Sequence, residues 1–444
     1  MNEGKRTKKE MEAWQSLAHV CRRWRGVVFG SPLRLNLRLF CTAKTRARDT
    51  LEVWPPLPLF IQCYGDYPKE CVDNIVAVLE RHNHVHQIKL MDVPSSYLEK
   101  VVAAMQEPFP ELTNLLLWSD GEMMTDLPDS FLDGSAPRLQ SLWLDGIPYP
   151  GLPKLLLSAT HLVHLNLWNV PHSGYISPEA IVIAVSALTS LTSLWLQFQS
   201  PRSRPDRASR RPPPATYTVL PALTSLLFKG VAEYLDDLVA RIYAPGLNDL
   251  SITFFNQIVF DTPQLIQFVS RTPMLKAQDE ACISFENDTA SVNLSSQSSD
   301  RGGLSVEVSC NALDWQVSSL EQVCRSCLPP FSTFKLKALY IYEHRYLPFP
   351  WRLGDDVEDT LWLELLHPFT AVKSLYLSKQ FAPHIASALQ GVDVGRMADV
   401  LPALQNIFLE AHQSWGPAEK GIQKFVAVRQ TTGHPISVSY EHAF

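Results

Sequence analysis

One pattern returns along most of the chain: an apolar residue, two others, an apolar residue, one other, an apolar residue. It appears in HVHQIKL (84–90), ELTNLLL (111–117), RLQSLWL (138–144), HLVHLNL (161–167), SLTSLWL (190–196), ALTSLLF (222–228) and GLNDLSI (246–252). It resumes in KLKALYI (335–341), AVKSLYL (371–377) and ALQNIFL (403–409). The first seven begin 27, 27, 23, 29, 32 and 24 residues apart. Alternation over its last positions predicts a short half-buried strand. Between these pieces the apolar period lengthens to that of a helix, in 67–82, 95–105, 177–188 and 234–242. Strand, turn and helix repeating every 25–30 residues predicts stacked units whose strands form a parallel sheet.

The N-terminal end reads differently. In WQSLAHVCRRWRGVVFG (14–30), Trp14, Leu17, Val20, Cys21, Trp24, Val27 and Val28 recur at steps of three and four, one face of a helix, with Arg22, Arg23 and Arg25 on the other side or its rim. Gly30 and Pro32 are stop signals. Leu33, Leu35, Leu37 and Leu39 then alternate with Arg34, Asn36 and Arg38, predicting a strand.

Two stretches interrupt the pattern. SPRSRPDRASRRPPPAT (200–216) is Pro- and Arg-rich and nearly devoid of apolar residues, so it is expected to be a disordered insertion. Residues 256–333 keep strand-like pieces at 281–285, 290–294 and 304–310 with irregular spacing, expected as hairpins or a degenerate repeat pair.

Composition narrows the class. The 444 residues are 46% apolar, enough for a sizeable core, and no apolar run approaches the roughly 20 residues of a membrane span. The first residues carry no apolar signal core, so an intracellular chain, cytoplasmic or nuclear, without membrane contact is expected. Eight cysteines are too few for a disulfide scaffold. The net charge of −6 is uneven: residues 1–48 carry +9, leaving −15 for the rest. An acidic body argues against nucleic acid as a partner.

Catalytic and metal signatures are absent from the sequence. There is no G-x-S-x-G elbow, phosphate loop or H-E-x-x-H. Cys324 and Cys327 make a single C-x-x-C inside a segment that reads as a helix ending at Pro329; a zinc site wants a second pair, so structural thiols are expected. His82, His84 and His86 alternate, a geometry that can bind metal on a strand. Val85, Ile88 and Leu90 already claim the buried positions, however, which makes the histidines turn and edge residues. No cofactor is expected, and no enzymatic activity.

Trp118, Trp143, Trp168 and Trp195 recur beside the repeat strands, and Tyr340 and Tyr376 occupy equivalent late positions. Trp143 and Trp195 lie between two strand leucines and therefore alternate to the opposite face. Aromatic residues on such a face either anchor a bound protein or simply cover one another. Trp143, Trp195, Tyr340 and Tyr376 are the candidate target-binding residues.

The repeats resemble leucine-rich repeats of the longer, helix-bearing kind. They depart from that ideal where it places Asn or Cys, since Asp120, Ile147, Val170, Gln199, Val231 and Phe255 stand there. Residues 14–39 resemble the second half of an F-box, with its W-x-x-L…V-C-[KR]-x-W-[KR] core and a following SP-x-L strand. Residues 312–324, 355–389 and 400–410 resemble the C-terminal half of leucine-rich-repeat-like F-box proteins of mushroom-forming fungi.

That resemblance implies an α/β leucine-rich-repeat-like solenoid, a horseshoe with parallel strands, outer helices and the aromatic face on its concave side, over 33–444. It implies a short helical F-box remnant over 1–32, with Leu17, Val20, Cys21, Trp24 and Val27 in its core or on its adaptor-facing edge. The function implied is substrate recognition in a cullin-type ubiquitin ligase, with a Skp-type adaptor on one side and a target protein on the other. The F-box opening, LP-x-E-[IL], is absent from the residues before Trp14. A second reading therefore stays open: the helix caps the first repeat, and the chain is a protein-binding scaffold without ligase recruitment.

Overall fold

The computed structural model describes residues 20–30, 38–42, 51, 57–65, 67–120, 126–205, 216–257, 259–296, 302–328, 336–343, 357–391, 399–410 and 416–441. The protein is a mixed α/β chain that folds into two compact units, Met1–Gln199 and Ser200–Phe444.

Among the described residues the first unit contains seven strands in chain order: β1 (Leu39–Cys41), β2 (Leu59–Tyr64), β3 (Val85–Val93), β4 (Asn114–Ser119), β5 (Ser141–Asp145), β6 (His164–Val170) and β7 (Ser193–Phe198). Each pairs in parallel with its predecessor. The expected strand over Leu33–Leu39 is represented only by its last leucine, because 31–37 lie outside the described residues. Inward positions are sealed: Leu115 with Leu117, Leu142 with Leu144, Leu165 with Leu167, and Leu194 with Leu196 are all buried. Helices Lys69–Leu79, Ser95–Ala103, Leu152–Ser158 and Pro178–Val185 supply the other half of that core through Val72, Ile75, Leu98, Leu155 and Ile181. Three of these match the helical periodicity in the sequence. The fourth, Leu152–Ser158, follows a Pro-Gly turn and is too short to show a period.

Without the asparagine ladder, backbone groups join successive units. Thr113 N donates to His86 O (2.9 Å), Gln140 N to Thr113 O (2.8 Å), Val163 N to Gln140 O (2.8 Å) and Thr192 N to Val163 O (2.9 Å). The positions that the ideal repeat gives to Asn or Cys are filled here by buried Ile147 and Val170. The residue before each turns the chain through left-handed backbone: Gly146 at φ 69° and Asn169 at φ 48°, with Asp92 at φ 60° in the matching place before buried Val93. Gly, Asn and Asp are the residue types that tolerate that conformation.

The second unit has the sheet order β9-β11-β14-β13-β12-β15-β16-β17-β18. Its strands are β9 (Ser225–Gly230), β11 (Asp249–Phe255), β12 (Glu280–Phe285), β13 (Thr289–Ser295), β14 (Gly303–Ser309), β15 (Ala338–Glu343), β16 (Ser374–Leu377), β17 (Asn406–Glu410) and β18 (Ser437–Glu441). The short strands β8 (Thr218–Val219) and β10 (Ile242–Tyr243) pair separately. The irregular stretch is an antiparallel meander, β12-β13-β14, inserted into the parallel series. Only β13 runs against the rest, since β14 lies parallel to β11 and β12 parallel to β15. Three strands, an odd number, restore the direction and let the repeats resume. Gly302 and Gly303 admit β14: a Cβ on Gly302 would lie 2.6 Å from Asn248 O, and one on Gly303 would lie 2.5 Å from Leu294 O.

Within that unit Asp236, on helix Ala232–Val239, is buried and accepts bonds from Gln264 N (2.8 Å) and Leu265 N (3.1 Å) at the start of helix Pro263–Arg271. Thr262, the residue before that helix, makes no side-chain cap bond of its own. One helix thus caps the next. Helix Leu313–Ser326 buries Cys324, and Cys327 follows it, also buried; burial pushes the Cys327 thiol up to about 12, the pKa of a core group. Of the expected insertion, residues 206–215 lie outside the described residues, while Ser200–Arg204 form a turn with Ser203 N donating to Ser200 O at 3.3 Å.

Candidate recognition surfaces

The N-terminal helix, Arg22–Gly30, ends at the glycine the sequence marks, and among its residues only Val28 is buried. Val20, Trp24 and Val27 are 64%, 50% and 60% exposed. Cys21 is exposed as well, and its sulfur receives the N–H of Trp24 at 3.5 Å. Trp24 and Val27, three residues apart, lie on one side of that helix, whereas Val20 precedes it and is separated from it by the non-helical Cys21. Leu17, grouped with them in the sequence, lies outside the described residues.

On the outward face of the first unit's strands the indoles converge. Trp143 and Trp195 lie two strands apart, with Asn166 in register between them. Trp168, two residues further along β6 and therefore on the same face, stacks on Trp143 (5.7 Å between ring centroids, 19°) and tilts against Trp195 (5.7 Å). Trp143 and Trp195 also meet edge-on at 6.0 Å. The rings are half-buried. Trp118 on β4 and Trp168 on β6 flank Asp145 on β5 in register. Asp145 accepts a bond from Asn169 Nδ2 at 2.8 Å. Desolvation raises its pKa, partly opposed by that bond. Asn166 is only 8% exposed, and its Oδ1, like Nε1 of Trp168 and of Trp195, finds no hydrogen-bond partner among the described residues.

The second unit carries its own aromatic row. Tyr340, Tyr376 and Phe408 are in register on β15, β16 and β17. Their rings stack at 4.3 Å and 4.5 Å, nearly parallel at 13° and 9°. Tyr340 Oη donates to Glu280 Oε1 at 3.4 Å. Burial, then the charge of Glu280, lifts the Tyr340 phenol above its ordinary pKa, and burial lifts Tyr376 as well.

Thus the structure joins Trp143 to Trp195 and Tyr340 to Tyr376, and adds Trp118, Asp145, Asn166, Trp168 and Phe408. The signal for these was present. Asp145 and Trp168 stand two residues beyond Trp143 and Asn166 on half-buried strands, and Phe408 occupies the place of Tyr376 in its own repeat. The alternating histidines separate: His82 and His84 sit in a 3-10 turn, whereas His86 lies on β3, stacked on Phe60 at 6.2 Å. Among the described residues no group of His, Cys, Asp or Glu could hold a metal ion, and no helix is long and apolar enough to cross a membrane.

No family model matches the chain. No curated protein matches it. Among solved structures, a leucine-rich-repeat-containing protein from Legionella pneumophila aligns over 88% of this chain and 97% of its own, at 14% identity and a TM-score of 0.27. A score that low carries no argument.

Proposed function

We propose that this chain is a non-catalytic recognition subunit of the F-box kind, a leucine-rich-repeat-like solenoid that holds a target protein while its N-terminal helix engages a Skp-type adaptor of a cullin-type ubiquitin ligase. The observation that carries the adaptor side is the stripe of Trp24 and Val27, apolar side chains left in solvent on a helix that buries only Val28, with exposed Val20 just before it. Amphipathic helices with such a stripe dock into apolar grooves of a partner. Arg22, Arg23 and Arg25 beside it suit a groove with an acidic rim. The target side rests on the outward aromatic rows, Trp143–Trp168–Trp195 and Tyr340–Tyr376–Phe408, since half-exposed aromatic clusters are the favoured anchors of protein interfaces. Catalysis then belongs to other subunits, and this chain supplies proximity.

A scaffold that binds a protein without recruiting a ligase is the second reading, favoured by the aromatic rows alone because they need no adaptor. The two readings separate on co-expression with a Skp-type adaptor followed by size-exclusion chromatography. Co-elution that a Trp24→Ala, Val27→Ala double variant abolishes supports the adaptor role. A folded chain that elutes alone leaves the scaffold.

A further inference from the structure

We propose that the tryptophan face of the first unit takes a cationic side chain of the bound partner, best an arginine guanidinium, laid over the indoles with its N–H groups directed at Asp145 and Asn166. The inference rests on the reading of that face as the target-docking surface and names the chemistry it selects.

Three observations converge. The first is charge. The outward positions of β4 to β7, all of them described, hold Asn114, Leu116, Trp118, Ser141, Trp143, Asp145, His164, Asn166, Trp168, Ser193, Trp195 and Gln197, and Asp145 is their one carboxylate with no lysine or arginine among them. Asp145 stands in register between Trp118 and Trp168, and at 8% exposure it has given up most of its hydration for a single bond from Asn169. The second is an orphan. Asn166 is nine-tenths buried on the same face, between Trp143 and Trp195, and its Oδ1 accepts from nothing among the described residues. A buried acceptor left unpaired destabilises the surface that holds it, and a donor from a ligand would relieve that cost. The third is the indoles. The faces of Trp118, Trp143, Trp168 and Trp195 are electron-rich and attract cations, more strongly where water is excluded.

The alternatives fit less well. An anion would meet Asp145 head-on. An aliphatic side chain would cover the carboxylate and Asn166 Oδ1 without pairing either. An ammonium carries charge but is compact and strongly hydrated, whereas a guanidinium is flat, weakly hydrated and stacks on aromatic rings while presenting five donors at its edge. The guanidinium answers the rings, the carboxylate and the orphan acceptor together, and it leaves the unpaired Nε1 groups of Trp168 and Trp195 to an acceptor elsewhere on the partner.

The test uses the full chain labelled with fluorotryptophan, its fluorine resonances assigned by single Trp→Phe changes. The probe is a capped peptide of alternating arginine and glycine, and its control has citrulline, the neutral isostere, in place of arginine. The arginine peptide should shift the Trp143, Trp168 and Trp195 signals saturably, with about tenfold weaker binding for citrulline and for Asp145→Asn, whose side chain can still accept from Asn169. Rising salt should weaken the arginine peptide alone. Equal shifts from both peptides, no shift from either, or unchanged binding by Asp145→Asn would overturn the inference. Failure of the broader docking reading shows elsewhere: a target captured as well by the Trp143→Ala, Trp195→Ala variant as by the unaltered chain would mean that this face is not its docking surface.

Discussion

Tyr340 on β15 and Tyr376 on β16 pair directly across adjacent parallel strands, with their rings 4.3 Å apart and 13° from parallel. Stacked pairs of this kind contribute about 0.5–1.5 kcal/mol beyond the area they bury. A double-mutant cycle over Tyr340→Ala and Tyr376→Ala, read by urea denaturation, should return a coupling in that range. Both phenols have pKa values raised mainly by burial. A raised folded-state value means the neutral phenol favours folding, so this stability is whole below the ordinary phenol pKa and is lost as pH rises through the folded-state values. Absorbance of the phenolate should therefore appear later in the folded chain than in the denatured one.

Asp145 shifts in the same direction as the two phenols. Desolvation raises its pKa above the ordinary carboxylate value, and the Asn169 bond only partly offsets it. Its contribution favours folding most at pH below the unfolded-state value and is lost as pH rises through the folded-state value. Asp145→Asn should therefore raise the melting temperature at neutral pH and confer no gain in acid. A loss of stability at neutral pH would mean that the carboxylate is better paired than its single bond from Asn169 indicates.

Asp236 holds the N-terminus of the helix that follows its own, through bonds of 2.8 Å and 3.1 Å to Gln264 and Leu265. Asp236→Ala should cost about 1–2 kcal/mol in chemical denaturation, the usual loss for a cap, and Asp236→Asn distinctly less. Equal losses would place the effect in the charge rather than in the bonds.

Gly303→Ala tests how β14 enters the sheet. The added methyl would meet the carbonyl oxygen of Leu294 at 2.5 Å, so β13 and β14 must separate at that point. Overpacking of this sort costs about 1–3 kcal/mol, and amide exchange should speed up in β13 and β14 while β16 and β17 stay protected.

Much of this architecture was legible because each repeat spends the same positions on the same tasks. Leu142 with Leu144 and Leu165 with Leu167 announce strands, and the residues between them announce the outward face. The helix 178–185 was visible from its Ser-Pro start. The meander was legible in part: alternation in 281–285, 290–294 and 304–310 gives strands, expected as hairpins or a degenerate repeat pair, and β12-β13 and β13-β14 are antiparallel neighbours, whereas β14 beside β11 is a long-range pairing that no local pattern encodes. The tryptophan face was half legible. Trp143 and Trp195 stood out between leucines, whereas Trp168 and Asp145 fall beyond the repeat signature at the strand ends, just before left-handed Asn169 and Gly146 turn the chain.

The proposal gives the helix stripe and the strand faces different partners, and calorimetric titration of a purified Skp-type adaptor into the folded chain separates them, alongside the Trp24→Ala, Val27→Ala and the Trp143→Ala, Trp195→Ala variants. The exposed helix positions should leave stability within about 0.5 kcal/mol of the unaltered chain, so a lost titration would report lost contact rather than lost folding. The unaltered chain and the strand-face variant should bind, and the helix variant should not. No heat from the unaltered chain, or binding that survives in the helix variant and vanishes in the strand-face one, would contradict it.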